Sequence, residues 1–377
     1  FGIILPLFPF YAERLGASPE VITLTMAVFS LGQFIAAPFW GRLSDSIGRK
    51  KVLIISLIGS TISYVMLAFA ETLTMVIISR VLSGLMAGNI SIAFAYVADI
   101  TDEENRSAGL GKVSAALGLG FMTGPAIGGF LAGNDIENAN YVLTALAGAG
   151  INLIALIGAM LFLKESLPDS DRKSMDGLFK IFKKETFKPG KKIVFFALCG
   201  LFFYSGMSLM EAIFPLWANQ IFMYGPTHIG SVFFMLGLIS VIIQGGLIGP
   251  LTKLFGEIKL IQLAAVFMMI GLSLIGSAIS LLTLWMGLFF YGCGAAMFNP
   301  SLSSLVSKSA NANEKGLFLG QYQSACALGR ILGPTFSGIL FSQISASAPL
   351  YTGAMLGIPV IVLITNFALR RKNEGIE

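Results

Sequence analysis

Long apolar runs broken by short polar stretches dominate the chain, and their length sets the first expectation. A helix needs about 20 mostly apolar residues to cross a bilayer. Such runs lie at 20–41, 52–70, 73–99, 107–133 and 141–163, after a partial one at 1–15. A polar stretch, 164–192, then intervenes, and the runs resume at 193–217, 227–251, 258–279, 282–306, 316–342 and 348–369. The pattern predicts an all-α membrane protein with twelve spans. They fall into a six-helix bundle at 1–163 and a second at 193–377 with a short tail, joined by a linker at 164–192 that is too polar to insert. The linker offers one short amphipathic candidate around Leu178–Phe182. Because the chain opens at Phe1 inside an apolar run, the first helix is expected to be N-terminally truncated.

The second half repeats the first. A slide of 209 residues lays Gly111, Ala116, Leu119, Gly120, Gly124, Pro125, Gly129 and Leu131 on Gly320, Ala325, Leu328, Gly329, Gly333, Pro334, Gly338 and Leu340. At a slip of one, Gly41 and Gly48 fall on Gly249 and Gly256. Span 5 thus recurs as span 11, and the 2–3 loop as the 8–9 loop. Six spans separate the copies, so both halves have the same orientation, about an axis along the membrane normal. This is a transporter arrangement, with a site between the halves.

Composition agrees: 55% of residues are hydrophobic and 12% charged, with a mean hydropathy of +0.81. About 25% charged is usual for a soluble domain, so a soluble globular protein, a disordered chain and a disulfide scaffold are excluded. The net charge of +5 would point to nucleic acid in a soluble protein. Here the cations cluster in the 2–3 loop, the linker, the 8–9 loop and the tail, which is the positive-inside pattern, so no nucleic-acid partner is expected. The loops of the other set hold no Lys or Arg, with Arg14 alone at a helix edge. Both termini are therefore expected in the cytoplasm, with the lipid bilayer as the surrounding partner. Cys199, Cys293 and Cys326 lie far apart in apolar runs and read as packing residues. A single histidine, His228, rules out a metal-ligand cluster built on imidazole and a Ser-His-Asp triad. No phosphate-cradling loop of the P-loop type occurs, so ATP is not the energy source, and no cofactor is expected.

The 2–3 loop reads Gly41-Arg-Leu-Ser-Asp45-Ser-Ile-Gly48-Arg49-Lys50-Lys51. Gly41 permits close approach and Gly48 a tight turn, while Asp45 can cap a helix or pair with Arg49. With this loop the chain resembles the major facilitator superfamily over essentially its whole length. That resemblance implies a latch between the halves at Asp45 and Arg49. The second-half loop has Lys253 where the repeat would want Asp, so the latch is expected on one side only. In span 5, Gly120, Gly124 and Gly128 recur every fourth residue beside Pro125 and Gly129, leaving a smooth groove for a neighbouring helix. The combination is similar to the antiporter motif of exporters in that family. Gly2-Ile-Ile-Leu-Pro6-Leu-Phe-Pro9 and Tyr96-Val-Ala-Asp99-Ile-Thr-Asp102-Glu-Glu-Asn-Arg106 resemble segments of the twelve-helix drug–proton antiporters, the tetracycline and multidrug exporters. They place Asp99 and Arg106 in a charge network with Asp45 and Arg49, unless these are simply solvated loop ends.

Three charges fall inside spans, where insertion costs each about 2.5–3.5 kcal/mol. Arg80 in span 4 sits in a segment similar to the family's proton-relay motif, Glu211 lies in span 7, and Arg330 in mid-span 11. Tyr204, Ser208 and Glu211 share one helical face, a polar stripe suited to a cavity. A carboxyl removed from water resists ionisation and can exchange a proton near neutral pH, with the proton as the coupling ion. The alternative is a buried structural ion pair. Related exporters often carry a second acid in span 10, and Gly294 to Pro300 offers none. Gln33, Asn89, Tyr204, Gln244, Asn299, Gln321 and Tyr322 are candidate contacts for a small-molecule substrate, or equally helix–helix hydrogen bonds. The expected function is proton-coupled export of lipophilic or amphipathic small molecules by a monomer in a bacterial plasma (inner) membrane. Export of a sugar, lipid or metabolite on the same scaffold, or a non-transporting receptor, are the alternatives. A membrane enzyme is disfavoured, since no catalytic cluster is present.

Overall fold

A computed structural model describes residues 2–102, 105–168, 172, 191–310 and 315–373. Among them no strand occurs, and ten helices are long and apolar enough to cross a membrane. One of the ten, Pro226–Gly276, runs 51 residues, more than twice what a bilayer needs. It passes through a π-helical turn, Ile243–Leu247, and breaks at Gly256, whose φ of 75° and ψ of 160° are not helical. It is therefore spans 8 and 9. Span 1 is the turn Gly2–Ile4 followed by the short helix Phe8–Arg14. The twelve spans of the sequence pattern are thus present. The linker helix expected around Leu178–Phe182 lies outside the described residues.

The other spans are Pro19–Ile47, Arg49–Ala68, Leu73–Ile100, Arg106–Ala132, Tyr141–Phe162, Lys191–Phe222, Leu281–Ser309, Lys315–Gln343 and, for span 12, Ala348–Met355 with Gly357–Asn373. Spans 2 and 3 are joined by Gly48 alone, at φ 106° and ψ 150°. Gly256 makes the equivalent corner between spans 8 and 9. Only glycine adopts such angles without strain, so the repeat is read twice in the backbone. Span 4 is interrupted at Ala87 and Gly88, beside which the Trp40 indole of span 2 donates to the Leu85 carbonyl at 2.5 Å. Large apolar side chains such as Phe130, Ile154 and Phe162 stand exposed on the outside, as a lipid-facing surface requires.

Within the first half span 3 packs on span 6 and span 2 on span 4; within the second, span 9 packs on span 10 and span 7 on span 11. The halves meet where span 5 packs on span 8 and span 2 on span 11. The face carrying the 2–3 and 8–9 loops is called the basic face below.

Candidate functional site

Span 7 and span 10 are the most enclosed of the candidate spans. Every residue from Ser208 to Ala218 is buried except Glu211, which is half-buried. Span 11 fits against span 7 because glycines permit it. A Cβ on Gly329 would stand 2.7 Å from the Leu201 carbonyl oxygen, and one on Gly333 2.8 Å from the Leu209 nitrogen. This close seating brings Arg330, one residue past Gly329, over the Tyr204 ring with its guanidinium carbon 5.2 Å from the centroid. Arg330 also acts electrostatically on the Glu211 carboxyl, which in turn acts on the Tyr204 and Tyr291 hydroxyls. Among the described residues, no carboxylate is within ion-pair distance of Arg330, and its side chain is exposed. The alternative of a buried, directly bonded ion pair at Glu211 is thus not what forms.

Ser208 does not line the polar stripe expected of it. It is buried, and its hydroxyl donates to Tyr204 and Gly329 carbonyls at 2.7 and 3.0 Å, gluing span 7 to span 11. Asn299 and Tyr322 are likewise tied together, the Tyr322 hydroxyl donating to Asn299 Oδ1 at 2.9 Å with Tyr322 fully buried. Of the two readings left open for that pair, the helix–helix bond is the one the geometry shows. Gln244 is exposed in the π turn and donates to Ser240 of its own helix. Gln33, Asn89 and Gln321 are half-buried. Arg80 is not brought to Glu211. It is buried in the first half between the Phe8 and Tyr64 rings, 5.7 and 5.6 Å from their centroids. Its Nε and Nη2 find no hydrogen-bond partner among the described residues.

The contacts between the halves gather away from the basic face. The Thr227 hydroxyl donates to the Gly129 carbonyl at 2.8 Å, and the Ser342 hydroxyl to the Glu20 carboxylate. A Cβ on Gly129 would lie 2.5 Å from the Pro226 oxygen, one on Gly230 2.5 Å from the Pro125 oxygen, and one on Gly338 2.6 Å from the Glu20 Cα. Toward the basic face the picture reverses: Gly41, Gly111, Gly118, Gly245, Gly246, Gly249 and Gly320 have nothing within 4 Å of a built Cβ. The tight contacts between the halves thus lie at the end away from the basic face, which is called the sealed end below.

The groove on span 5 is shared rather than single. Gly124 and Gly128 receive the turn Gly2–Ile4 of span 1, with a Gly124 Cβ 3.1 Å from Gly2 Cα. Gly129 receives span 8, and Gly120 faces open space. Pro125 sits at the crossing, its carbonyl against Gly230.

At the basic face, the side-chain partners of Arg49 lie in the first half. Arg49 contacts Asp45 at 2.6 Å, Asp99 at 3.1 Å and Ser44 Oγ at 2.6 Å, and its backbone N–H donates to Glu165 at 2.7 Å. Lys50 donates to the Met160 carbonyl at 2.9 Å. Arg106 is exposed, and among the described residues its side chain joins no carboxylate. So Asp99 enters the expected network and Arg106 does not. Nor is the clamp one-sided: in the second half Glu257 bonds Lys308 and the Ser304 hydroxyl, the latter at 3.0 Å. Glu257 follows Gly256 as Arg49 follows Gly48, and Lys308 lies 209 residues after Asp99. The pairing is the same with its sign reversed, which is why a search for matching residues passes over it. An apolar groove is lined by Thr61, Ile62, Val65, Met66 and Phe69, with Met75 of span 4 beside them.

Comparison with known proteins agrees with this geometry. The profile described as Major Facilitator Superfamily matches residues 1–334 and 196–375. The chain is 32% identical over 345 residues to "Multidrug resistance protein 2" of Bacillus subtilis, covering 90% of this chain and 84% of that protein. It is 27% identical over 367 residues to "Quinolone resistance protein NorA" of Staphylococcus aureus, covering 96% and 92%. Its fold superimposes on the crystal structure of the human organic anion transporter MFSD10 with a TM-score of 0.70, 26% identity and 97% and 95% coverage. Twelve spans in two repeated halves, a cleft between them and these relatives lead to one conclusion: the chain is a multi-pass membrane transporter that belongs to the Major Facilitator Superfamily.

Proposed function

We propose that this transporter exports lipophilic or amphipathic small molecules in exchange for protons, by alternating access. The observation that carries the reading is Glu211, the one accessible residue in the most enclosed stretch of span 7 and the carboxylate that faces the cleft. A carboxylate there binds a proton or a cationic substrate, and the two exclude each other, which is what antiport requires. The multidrug and quinolone resistance proteins named above support the direction and the substrate class. The basic face is assigned to the cytoplasm by the positive-inside rule, with both termini there, so the cleft opens inward, where substrate for export is collected. The working form is a monomer in a bacterial plasma membrane, and no bound cofactor takes part beyond the proton.

The driving force is sufficient. One charge crossing 100 mV contributes about 2.3 kcal/mol, and one pH unit about 1.4 kcal/mol. The test is efflux from proteoliposomes under an imposed pH gradient. Glu211→Gln is expected to abolish gradient-driven transport, while undiminished transport rejects Glu211 as the coupling site. A panel that finds sugars or metabolites moved in place of amphiphiles overturns the substrate class.

A further inference from the structure

Arg330 is the charge in the cleft that the exchange of a proton for a cation leaves unused. Its helix shows where it points. Leu328, Leu332, Phe336 and Ile339 are exposed along span 11 and form its lipid-facing stripe. Tyr322, Cys326, Gly329 and Gly333 are buried on the span 7 side. At about 100° per residue, Arg330 lies about 200° from both Leu328 and Leu332. Its exposure is therefore to the cleft and not to lipid. Arg80 supplies the contrast: that guanidinium is 4% exposed and packed between two rings, whereas Arg330 covers a single ring and presents its remaining donors to the open space. The repeat places Phe121 at the position equivalent to Arg330, so the charge belongs to the second half alone. With no acid in span 10 from Gly294 to Pro300, the cleft offers one carboxylate and one guanidinium that interact without touching.

We propose that the cleft is a two-charge site for zwitterionic amphiphiles, Glu211 taking the cationic group and Arg330 the anionic group of one substrate. The inference rests on Glu211 being the site of exchange with the proton. The coupling sign selects the class. A simple cation meets repulsion from Arg330 as well as attraction from Glu211. A simple anion competes with ionised Glu211 for Arg330, so protonating Glu211 favours its binding, and the two would travel together. A zwitterion satisfies both charges, and its amine still displaces the proton, so exchange is preserved. A guanidinium suits the task because its planar fork binds a carboxylate through two parallel hydrogen bonds.

The test compares a zwitterionic quinolone with its methyl ester, which keeps the amine and the ring system and removes the anion. Binding is measured to the purified full chain in detergent, with no gradient, by intrinsic fluorescence titration. Wild type is expected to bind the acid about 10- to 100-fold more tightly than the ester, the range for a charge-assisted hydrogen-bonded pair. Arg330→Gln should erase that preference by weakening the acid and leaving the ester unchanged or tighter. Arg330→Lys should keep part of it. Retained ester binding by Arg330→Gln shows that the variant is folded. Equal affinities in wild type, or equal weakening of both ligands by Arg330→Gln and Arg330→Lys, overturn the proposal. The acid preference with no proton exchange in vesicles would instead sustain the two-charge site and remove the exchange reading.

Discussion

Gly230 is where a single added methyl group should move the whole transporter. It faces span 5 at the sealed end, and a Cβ there would stand 2.5 Å from the Pro125 oxygen and 3.1 Å from the Gly129 Cα, both backbone atoms. Ordinary contact distances are about 3.5–4.0 Å, so Gly230→Ala carries an overlap of roughly 1 Å that no rotamer change can relieve. Overpacking of this kind costs about 1–3 kcal/mol. The cost applies only while spans 5 and 8 are pressed together. In the conformation where this end parts, the methyl group is accommodated, so the ratio of the two states should shift by about 5- to 150-fold toward the outward-open one. Spin labels at Glu137 and Ile279, on the sealed face in opposite halves, should report a longer distance by pulsed EPR. Labels at Lys112 and Lys253 should report a shorter one. The native cysteines are buried, so they compete little for label. Gly246→Ala, with nothing within 4 Å, is the control and should leave both distances unchanged. Unaltered distances in Gly230→Ala together with a lower melting temperature would refute the reasoning, since the clash would then be absorbed within one bundle.

Other outcomes follow from the same geometry. Arg49→Ala removes the partner of Asp45, Asp99 and Ser44 at once and should cost about 2–3 kcal/mol. Glu257→Gln acts on a pair whose Lys308 side chain is 66% exposed and should cost at most about 1 kcal/mol. Thermal unfolding in detergent compares the two, and equal losses would contradict the ranking. Trp40→Phe deletes the indole bond to Leu85 at the break in span 4 and should lower stability by about 1–2 kcal/mol; no change in melting would show that the break does not depend on it. Exchange of one proton for a zwitterion carries one net charge inward, whereas exchange for a monovalent cation carries none. A valinomycin-imposed potential should therefore accelerate export of the quinolone and leave that of its ester nearly constant.

What the sequence discloses here is what local chemistry dictates. Span positions follow from apolar length, and Gly48 and Gly256 from the only residue able to hold positive φ at a one-residue corner. The glycine face of span 5 was likewise legible, because side-chain size alone makes a groove. Its division between span 1 and span 8 was not, since that depends on which helices arrive. Ser208, Asn299 and Tyr322 show the same limit: a polar side chain in a span must find a partner, and composition does not say whether the partner is a substrate or the next helix. The second clamp, Glu257 with Lys308, escaped because pairing needs opposite charges and not identical residues. The seating of Arg330 over Tyr204 depends on two glycine contacts between helices more than a hundred residues apart.

The central claim, that Glu211 exchanges a proton for substrate, is tested most directly by counting protons. Purified protein in lightly buffered detergent, with a pH dye, is mixed with substrate. Wild type is expected to release a fraction of a proton per substrate bound, approaching one as the pH is lowered and falling toward none as it is raised, and Glu211→Gln none while still folded. Proton release that persists in Glu211→Gln, or substrate binding by wild type with no proton released at any pH between about 5 and 9, would contradict it.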